Sequence, residues 1–242
     1  MFQKIDPFGY LVSGVSIGEV WLNLVEVVMK FGDKTVDEGR KRLSLQAVRI
    51  KSLTQEYPDK LVDKYADKSN IDQIIHLTFD REVMYDFDVV PSFSPGSQSY
   101  YARIKNWDML NFVIKRLTEI PESKKAIMCF VRKEDYERCL EHPRDDYLPC
   151  ITTVQFRLIK ADTGYQLNTL FNARSIDVFQ KSIGNMAAIV LLSKKVCNKL
   201  HENLRVPISL GLLDGMIADA HIYEETYIAA NGLIERYNKH VQ

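Results

Sequence analysis

Cys150 follows Leu148-Pro149 and precedes the β-rich run 151–159, so a turn at a strand entrance would present its thiol at the rim of a sheet. A thiolate there can act as a nucleophile. The other reading of a lone cysteine at a strand start is a small core residue, and position alone does not choose between them. Arg174 and Ser175 end an alternating run and lead toward a helix near Ile183. A guanidinium fork beside a hydroxyl makes a phosphate clamp, whereas pairing with Asp177 would make the arginine half of a surface ion pair. His221 and Tyr223 alternate with apolar residues, so both fall on one strand face and can bond a sugar hydroxyl, unless His221 is a satisfied core residue.

These residues need elements to hold them. Ser16-Ile-Gly-Glu19 has capping-box spacing, with Val20, Leu24, Val27 and Val28 on one face behind it, which predicts a helix over 18–31. Leu43, Leu45, Ala47 and Ile50 predict a strand, and 54–70 a polar, partly helical stretch. Pro91, Pro95 and Gly96 predict an irregular loop within 86–99. Trp107, Leu110, Ile114 and Leu117 predict an amphipathic helix over 106–120, stopped by Pro121. Residues 126–131, 151–159 and 165–174 read as neighbouring strands, 183–200 as a buried helix crossing them, and 206–222 as another strand. No linker or repeat divides the chain, so one α+β domain over 1–242 is expected.

Composition narrows the function further. Lys plus Arg and Asp plus Glu each total 32, so no overall charge draws the chain to nucleic acid or to an acidic membrane. No apolar run is long enough for a membrane span, and four cysteines without a secretory leader suggest free thiols and a cytoplasmic setting. The five histidines and four cysteines are scattered, leaving a zinc site without support, and neither GxGxxG nor GxxxxGK occurs.

Five segments taken in order resemble the thymidylate synthase family and its pyrimidine nucleotide hydroxymethylase relatives. They are Pro121-Glu-Ser-Lys-Lys125, Leu148-Pro-Cys150-Ile-Thr-Thr-Val-Gln155-Phe156, Arg174-Ser175-Ile-Asp177-Val-Phe179, Gly184-Asn185-Met-Ala-Ala188, and Asp219-Ala-His221-Ile-Tyr223-Glu-Glu225. The likeness runs from Tyr101 to Tyr227, and the first helix and the ending look most like the shorter archaeal-type members. It implies a thymidylate synthase-like fold, a large mixed sheet packed against helices, forming a homodimer through the sheet.

The resemblance implies that Cys150 adds to C6 of a pyrimidine nucleoside monophosphate and that C5 receives a one-carbon unit from 5,10-methylenetetrahydrofolate. Methylation of deoxyuridylate is the leading expectation; hydroxymethylation of UMP, CMP or dCMP, or a silent nucleotide-binding homologue, are the alternatives. Arg174 and Ser175 would hold the 5′-phosphate, with Arg174 also assisting the thiolate, and Asn185 would read the pyrimidine edge. His221 and Tyr223 would bond the ribose, Gln155 would line the nucleotide site, and Tyr101 would assist proton transfer at C5. Asp177 would contact the folate ring. Lys124 and Lys125 stand where two arginines usually reach the partner's phosphate, Lys181 stands where a glycine usually lies beside the folate, and Arg40 or Arg42 would be the phosphate-loop arginine.

Overall fold

The Ser16 hydroxyl accepts the Glu19 N–H, and the Glu19 carboxylate accepts the Val15 N–H at 2.8 Å. Donors that would be stranded at a helix start are thereby satisfied. The helix they open, α1 (Ile17–Phe31), buries the Val20, Leu24, Val27 and Val28 stripe. It ends at Gly32, whose N–H caps the Val28 carbonyl. The computed structural model describes residues 1–6, 9–90, 97–143 and 147–241.

Among the described residues, nine strands form one sheet: β1 (Phe2–Asp6), β2 (Gly9–Gly14), β3 (Asp33–Asp37), β4 (Arg40–Ser52), β5 (Ile127–Cys129), β6 (Ile151–Ala161), β7 (Gly164–Ala173), β8 (Ile176–Asp177) and β9 (Ile208–Tyr223). The order is β1-β2-β4-β9-β7-β6-β5, with β3 beside β4 and β8 beside β9. β2–β4 and β7–β9 are parallel, while β4–β9, β6–β7 and β5–β6 are antiparallel, so the sheet is mixed. The helices are α1, α2 (Lys60–Tyr65), α3 (Lys68–Phe79), α4 (Tyr100–Asn106), α5 (Met109–Glu119), α6 (Lys133–Glu141), α7 (Ser182–Leu204) and α8 (Tyr227–Val241). The fold is the expected α+β thymidylate synthase-like arrangement. None of the described helices is long and apolar enough to cross a membrane.

Alternation sorts the two faces of the sheet. Val154, Phe156 and Leu158 on β6, with Leu167 and Phe171 on β7, are buried in the core shared with α7. Thr169 and Ser193 bond across that packing at 2.8 Å. Partner rows place Thr153, Asn172, Met216 and Arg49 together on the other face, where Met216 is 40% and Ile159 44% exposed. One face is thus a packed core and the other is turned outward.

Two expectations change on folding. The helix predicted over 106–120 is divided, because Asp108 adopts a left-handed φ of 48° and turns the chain between α4 and α5. Trp107, at that corner, stacks under the Arg132 guanidinium 3.8 Å from the ring centroid. Ala47 departs from the inward pattern: it is exposed at φ 55°, and burial resumes at Val48 and Ile50. β1, β2, β3 and α6 have no counterpart in the sequence reading. Pro91, Pro95 and Gly96, from the predicted loop, lie outside the described residues.

Candidate functional site

A bulge brings Cys150 to the sheet's rim. Ile151 pairs with Ala173 and Thr153 with Asn172, so Thr152 is the extra residue on β6, one of the devices that re-aims a strand end. The Arg174 N–H bonds the Cys150 carbonyl at 2.9 Å, fixing the end of β7 against the Cys150 backbone. The Arg174 guanidinium donates to the Leu148 carbonyl at 2.6 Å and stays exposed.

Half-buried Cys150 lines a cavity of about 20 Å³ with Tyr100, Tyr147, Lys181, Asn185, Ile74, Leu77 and Met84. That is room for roughly one water. Asn185 is 7% exposed in the first turn of α7, so a thiol and a buried amide face one space. Gly184 beside it lets α3 come close, since a Cβ there would meet Ile74 Cδ1 at 2.4 Å.

The structure does not bring Tyr101 to this cavity. Ser99 caps α4 through the Ala102 N–H and sets the helical phase so that Tyr100, Arg103 and Ile104 turn inward. Tyr101 lies beneath the Lys105 ammonium, 5.6 Å from its ring centroid. The Tyr100 hydroxyl accepts the Ile151 N–H at 2.9 Å, next to Cys150 in the chain. Burial and the nearby Cys150 charge hold its proton well above the ordinary phenol range, against the pull of Arg174.

The cavity wall is fastened by the start of α7. Lys181 Nζ lies 2.8 Å from Asp88 Oδ2, with both side chains almost wholly buried, and Asn70 donates to the other Asp88 oxygen at 3.2 Å. Burial pushes the Asp88 carboxyl up, and Lys181 opposes that shift. The Gln180 side-chain oxygen accepts the Val89 N–H at 2.9 Å and the Val90 N–H at 3.4 Å. The strap 84–90 is therefore tied to α7 at successive residues. Asp177 serves the same corner: Oδ1 accepts the Phe179 and Gln180 N–H groups, and Oδ2 accepts from the Gln180 amide at 2.7 Å.

A second constellation lies on the paired strands β4 and β9. Register places Arg42 opposite Tyr223 and Ser44 opposite His221. Asp219 joins them, accepting from Ser44 at 2.5 Å and pairing with Arg42 at 2.8 Å. Ser175 bonds Asp219 at 3.4 Å and exchanges a hydrogen with His221 Nδ1 at 3.1 Å. The His221 and Tyr223 rings meet edge to face 5.0 Å apart, and the Tyr223 hydroxyl donates to Asp37 at 3.2 Å. Burial lowers the His221 imidazole, with Asp177 and Asp219 opposing and Arg42 adding to the shift. Burial and Asp37 raise the Tyr223 phenol. Arg42 keeps a buried Nε without an acceptor, an unmet donor for an anion or a hydroxyl.

Other candidates stand apart. Lys124 and Lys125 are exposed before β5, and the Gln155 amide donates to the Lys124 carbonyl at 2.8 Å on the outward side. None of the three lines the cavity. Arg42 joins the strand network. Tyr147, Tyr100 and Ser44 are not among the sequence candidates, and Asp219 enters there only as the head of a matched segment, without a role. Asp219 and Ser44 become readable once β4 and β9 are paired, whereas nothing in the spacing marks Tyr147. As the cavity stands it takes no pteridine ring, and Asp177 is engaged in its own turn, so these residues do not present a formed folate site. No cluster able to hold a metal occurs among the described residues.

No curated protein matches the chain. A family model described as thymidylate synthase matches residues 23–242, a span that contains the thiol cavity and the whole Arg42–Asp219–His221 network. By that match the chain belongs to the thymidylate synthase family, a family of one-carbon transferases acting at C5 of pyrimidine nucleotides and folate-dependent in general.

Proposed function

We propose that the protein methylates deoxyuridylate at C5 through a covalent Cys150 adduct at C6, with 5,10-methylenetetrahydrofolate as the one-carbon donor. The observation that carries the reading is the cavity in which Cys150 faces the buried amide of Asn185. A uracil edge offers O4 as acceptor and N3–H as donor, and a carboxamide matches both. Cys150 sulfur forms a bond to C6 as the C5–C6 π pair moves through C5 toward O4, leaving C5 nucleophilic. The one-carbon unit joined to C5 would become a methyl group through hydride supplied by the tetrahydrofolate itself, which would leave as dihydrofolate, and the thiolate, a suitable leaving group, would leave C6 as the C5–C6 double bond re-forms. Tyr100, in place of Tyr101, is the phenol poised beside this chemistry.

Arg174, Ser175 and Arg42 hold the 5′-phosphate in this reading, and His221 and Tyr223 hold the sugar. Asp177 meets the folate ring in the same reading. Gln155, Lys124 and Lys125 act from the outward face, in a homodimer formed through the sheet by chains that are each one domain over 1–242. The outward Met216 and Ile159 support that face as the interface. The likeness to the shorter archaeal-type members and a cytoplasmic setting belong to the same proposal.

The test is to incubate the protein with 5,10-methylenetetrahydrofolate and each pyrimidine monophosphate and weigh the nucleotide products, with Cys150→Ala alongside. Deoxyuridylate gaining a methyl group, with dihydrofolate formed and both lost in the variant, supports the reading. A hydroxymethyl gain on UMP, CMP or dCMP moves it to the hydroxylating branch, and no product from any nucleotide overturns it in favour of a binding homologue.

A further inference from the structure

Asp37 has no role in the reading above. It ends β3, and the register pairs it with Arg40 across the turn Glu38-Gly39, whose residues both take left-handed backbone, at φ 48° and 85°. Two left-handed residues in succession make the primed turn that matches the twist of a hairpin. The hairpin so closed sets Thr35 opposite Arg42, and Arg42 stands opposite Tyr223, so one row of side chains crosses β3, β4 and β9. Asp37 is two residues beyond Thr35 and shares its face. Its carboxylate reaches over β4: Oδ2 lies 3.2 Å from the Tyr223 hydroxyl and 3.6 Å from an Arg42 guanidinium nitrogen.

The two partners fix the sense of this bond. A carboxylate has no hydrogen to give, so Tyr223 donates, and its one proton is committed to Asp37. A ligand meets only the lone pairs of the Tyr223 oxygen. Burial and then Asp37 hold Tyr223 as a phenol, with Asp177 adding to the shift and Arg42 opposing it, and the His221 ring packs on the other side at 5.0 Å. Two buried polar atoms in the same row, Thr35 Oγ1 and Arg42 Nε, have no partner among the described residues, a pairing left for water or a ligand. The strands do not need the Asp37 carboxylate: the side chain is 42% exposed, and the β3–β4 ladder is made by backbone.

We propose that Asp37 is a positioning residue for the sugar: it engages the Tyr223 proton, leaves Tyr223 as an acceptor, and so makes the site select a sugar hydroxyl that donates. The inference deepens the C5-transferase reading and rests on it for the ligand, whereas the Asp37–Tyr223 bond stands without it. Deoxyuridylate carries a single free sugar hydroxyl, at C3′, which identifies the group selected. Without Asp37 the Tyr223 O–H is free to turn and donate to the ligand, and the preference for a donating group lapses.

The experiment compares deoxyuridylate with its 3′-deoxy-3′-fluoro analogue, in which fluorine replaces the hydroxyl and cannot donate. Calorimetry on the parent should favour deoxyuridylate by about 10- to 100-fold, because the analogue sets a lone pair against a lone pair. In Asp37→Ala the ratio should fall to within about threefold, and any change that the lost charge makes in overall affinity cancels between the two ligands. A second readout needs no nucleotide: with tyrosine labelled at Cζ by carbon-13, and the Tyr223 signal assigned by its loss in Tyr223→Phe, the onset of Tyr223 ionisation should move down by about one pH unit in Asp37→Ala. A variant that keeps the parent's ratio, or a Tyr223 titration that does not move, overturns the proposal. If the parent binds neither nucleotide, the function reading fails alone, and the Tyr223 titration still decides whether Asp37 holds that proton.

Discussion

The Cys150 cavity and the Arg42–Asp219–His221 network lie on either side of the Arg174-Ser175 corner and are built by opposite means. Loops and helix starts make the first: Tyr147, Tyr100 and the α7 start with Lys181 and Asn185 come from three separate segments and close around space for one water. Strand register makes the second: β4 and β9 place Arg42, Ser44, Asp219, His221 and Tyr223 within reach by pairing alone. A thiol gains from an enclosed, water-poor space, because fixed donors act more strongly there. Phosphate and hydroxyl groups gain from fixed partners that keep some access to water. On the proposed function the difference separates reactivity from recognition, and substitutions on the two sides should separate kcat from affinity.

The largest effect expected is at the thiol. Cys150→Ser keeps the shape of the cavity and lowers nucleophilicity, so turnover should fall by at least about 10³-fold. Nucleotide affinity, measured by calorimetry, should change less than about threefold. A tenfold loss of affinity would mean that the cavity is a binding site in the same sense as the network, and the contrast would collapse.

Next in size is the cavity wall. Removing one partner of the Lys181–Asp88 pair strands a buried charge, which costs about 3–5 kcal/mol in proteins generally. Lys181→Met should lower the urea midpoint accordingly, and Asp88→Leu added to it should recover much of the loss. A single variant as stable as the parent would show that water reaches this pair and that the strap is not sealed by it.

The network should respond in the other direction. Arg42→Ala removes a charged donor with side-chain exposure of 13% and leaves Asp219 short of a partner. Nucleotide affinity should drop about 10- to 100-fold, the scale of one charge-assisted hydrogen bond, while kcat at saturation holds within about threefold. Equal losses of kcat and kcat/KM would place Arg42 in the transition state and not in recognition.

How far the sequence discloses each region follows the same division. α1, β4, β6, β7 and α7 announce themselves because a capping box or a period fixes which side chains turn inward. His221 and Tyr223 share a face by alternation, so half of the network was visible, and Ser44 and Asp219 needed only the strand pairing. The cavity was harder. Tyr100 and Tyr101 are adjacent on a helix, about 100° apart, and only the Ser99 cap decides which faces Cys150. The β1–β2 pair is short, and α6 is charged along most of its length and buries only Asp135, so neither offers a core stripe to read.

The smallest effect expected is also the one that tests whether the network is as buried as it looks. Burial lowers His221 in the folded chain below its ordinary value near 6.5, with the Asp177 and Asp219 carboxylates opposing the shift. As pH falls below 6.5 the unfolded chain takes up the proton first, so it gains free energy relative to the folded form. The stability tied to a neutral His221 is complete above 6.5 and is lost as pH drops through the folded value, by at most about 1.4 kcal/mol per pH unit. Urea midpoints for the parent and for His221→Gln should therefore converge between pH 7.5 and pH 5, since both share every other titrating group. If the gap stays constant over that range, His221 titrates alike in both states. Its ring would then be solvated through the Ser175 side, and the network would be an open surface.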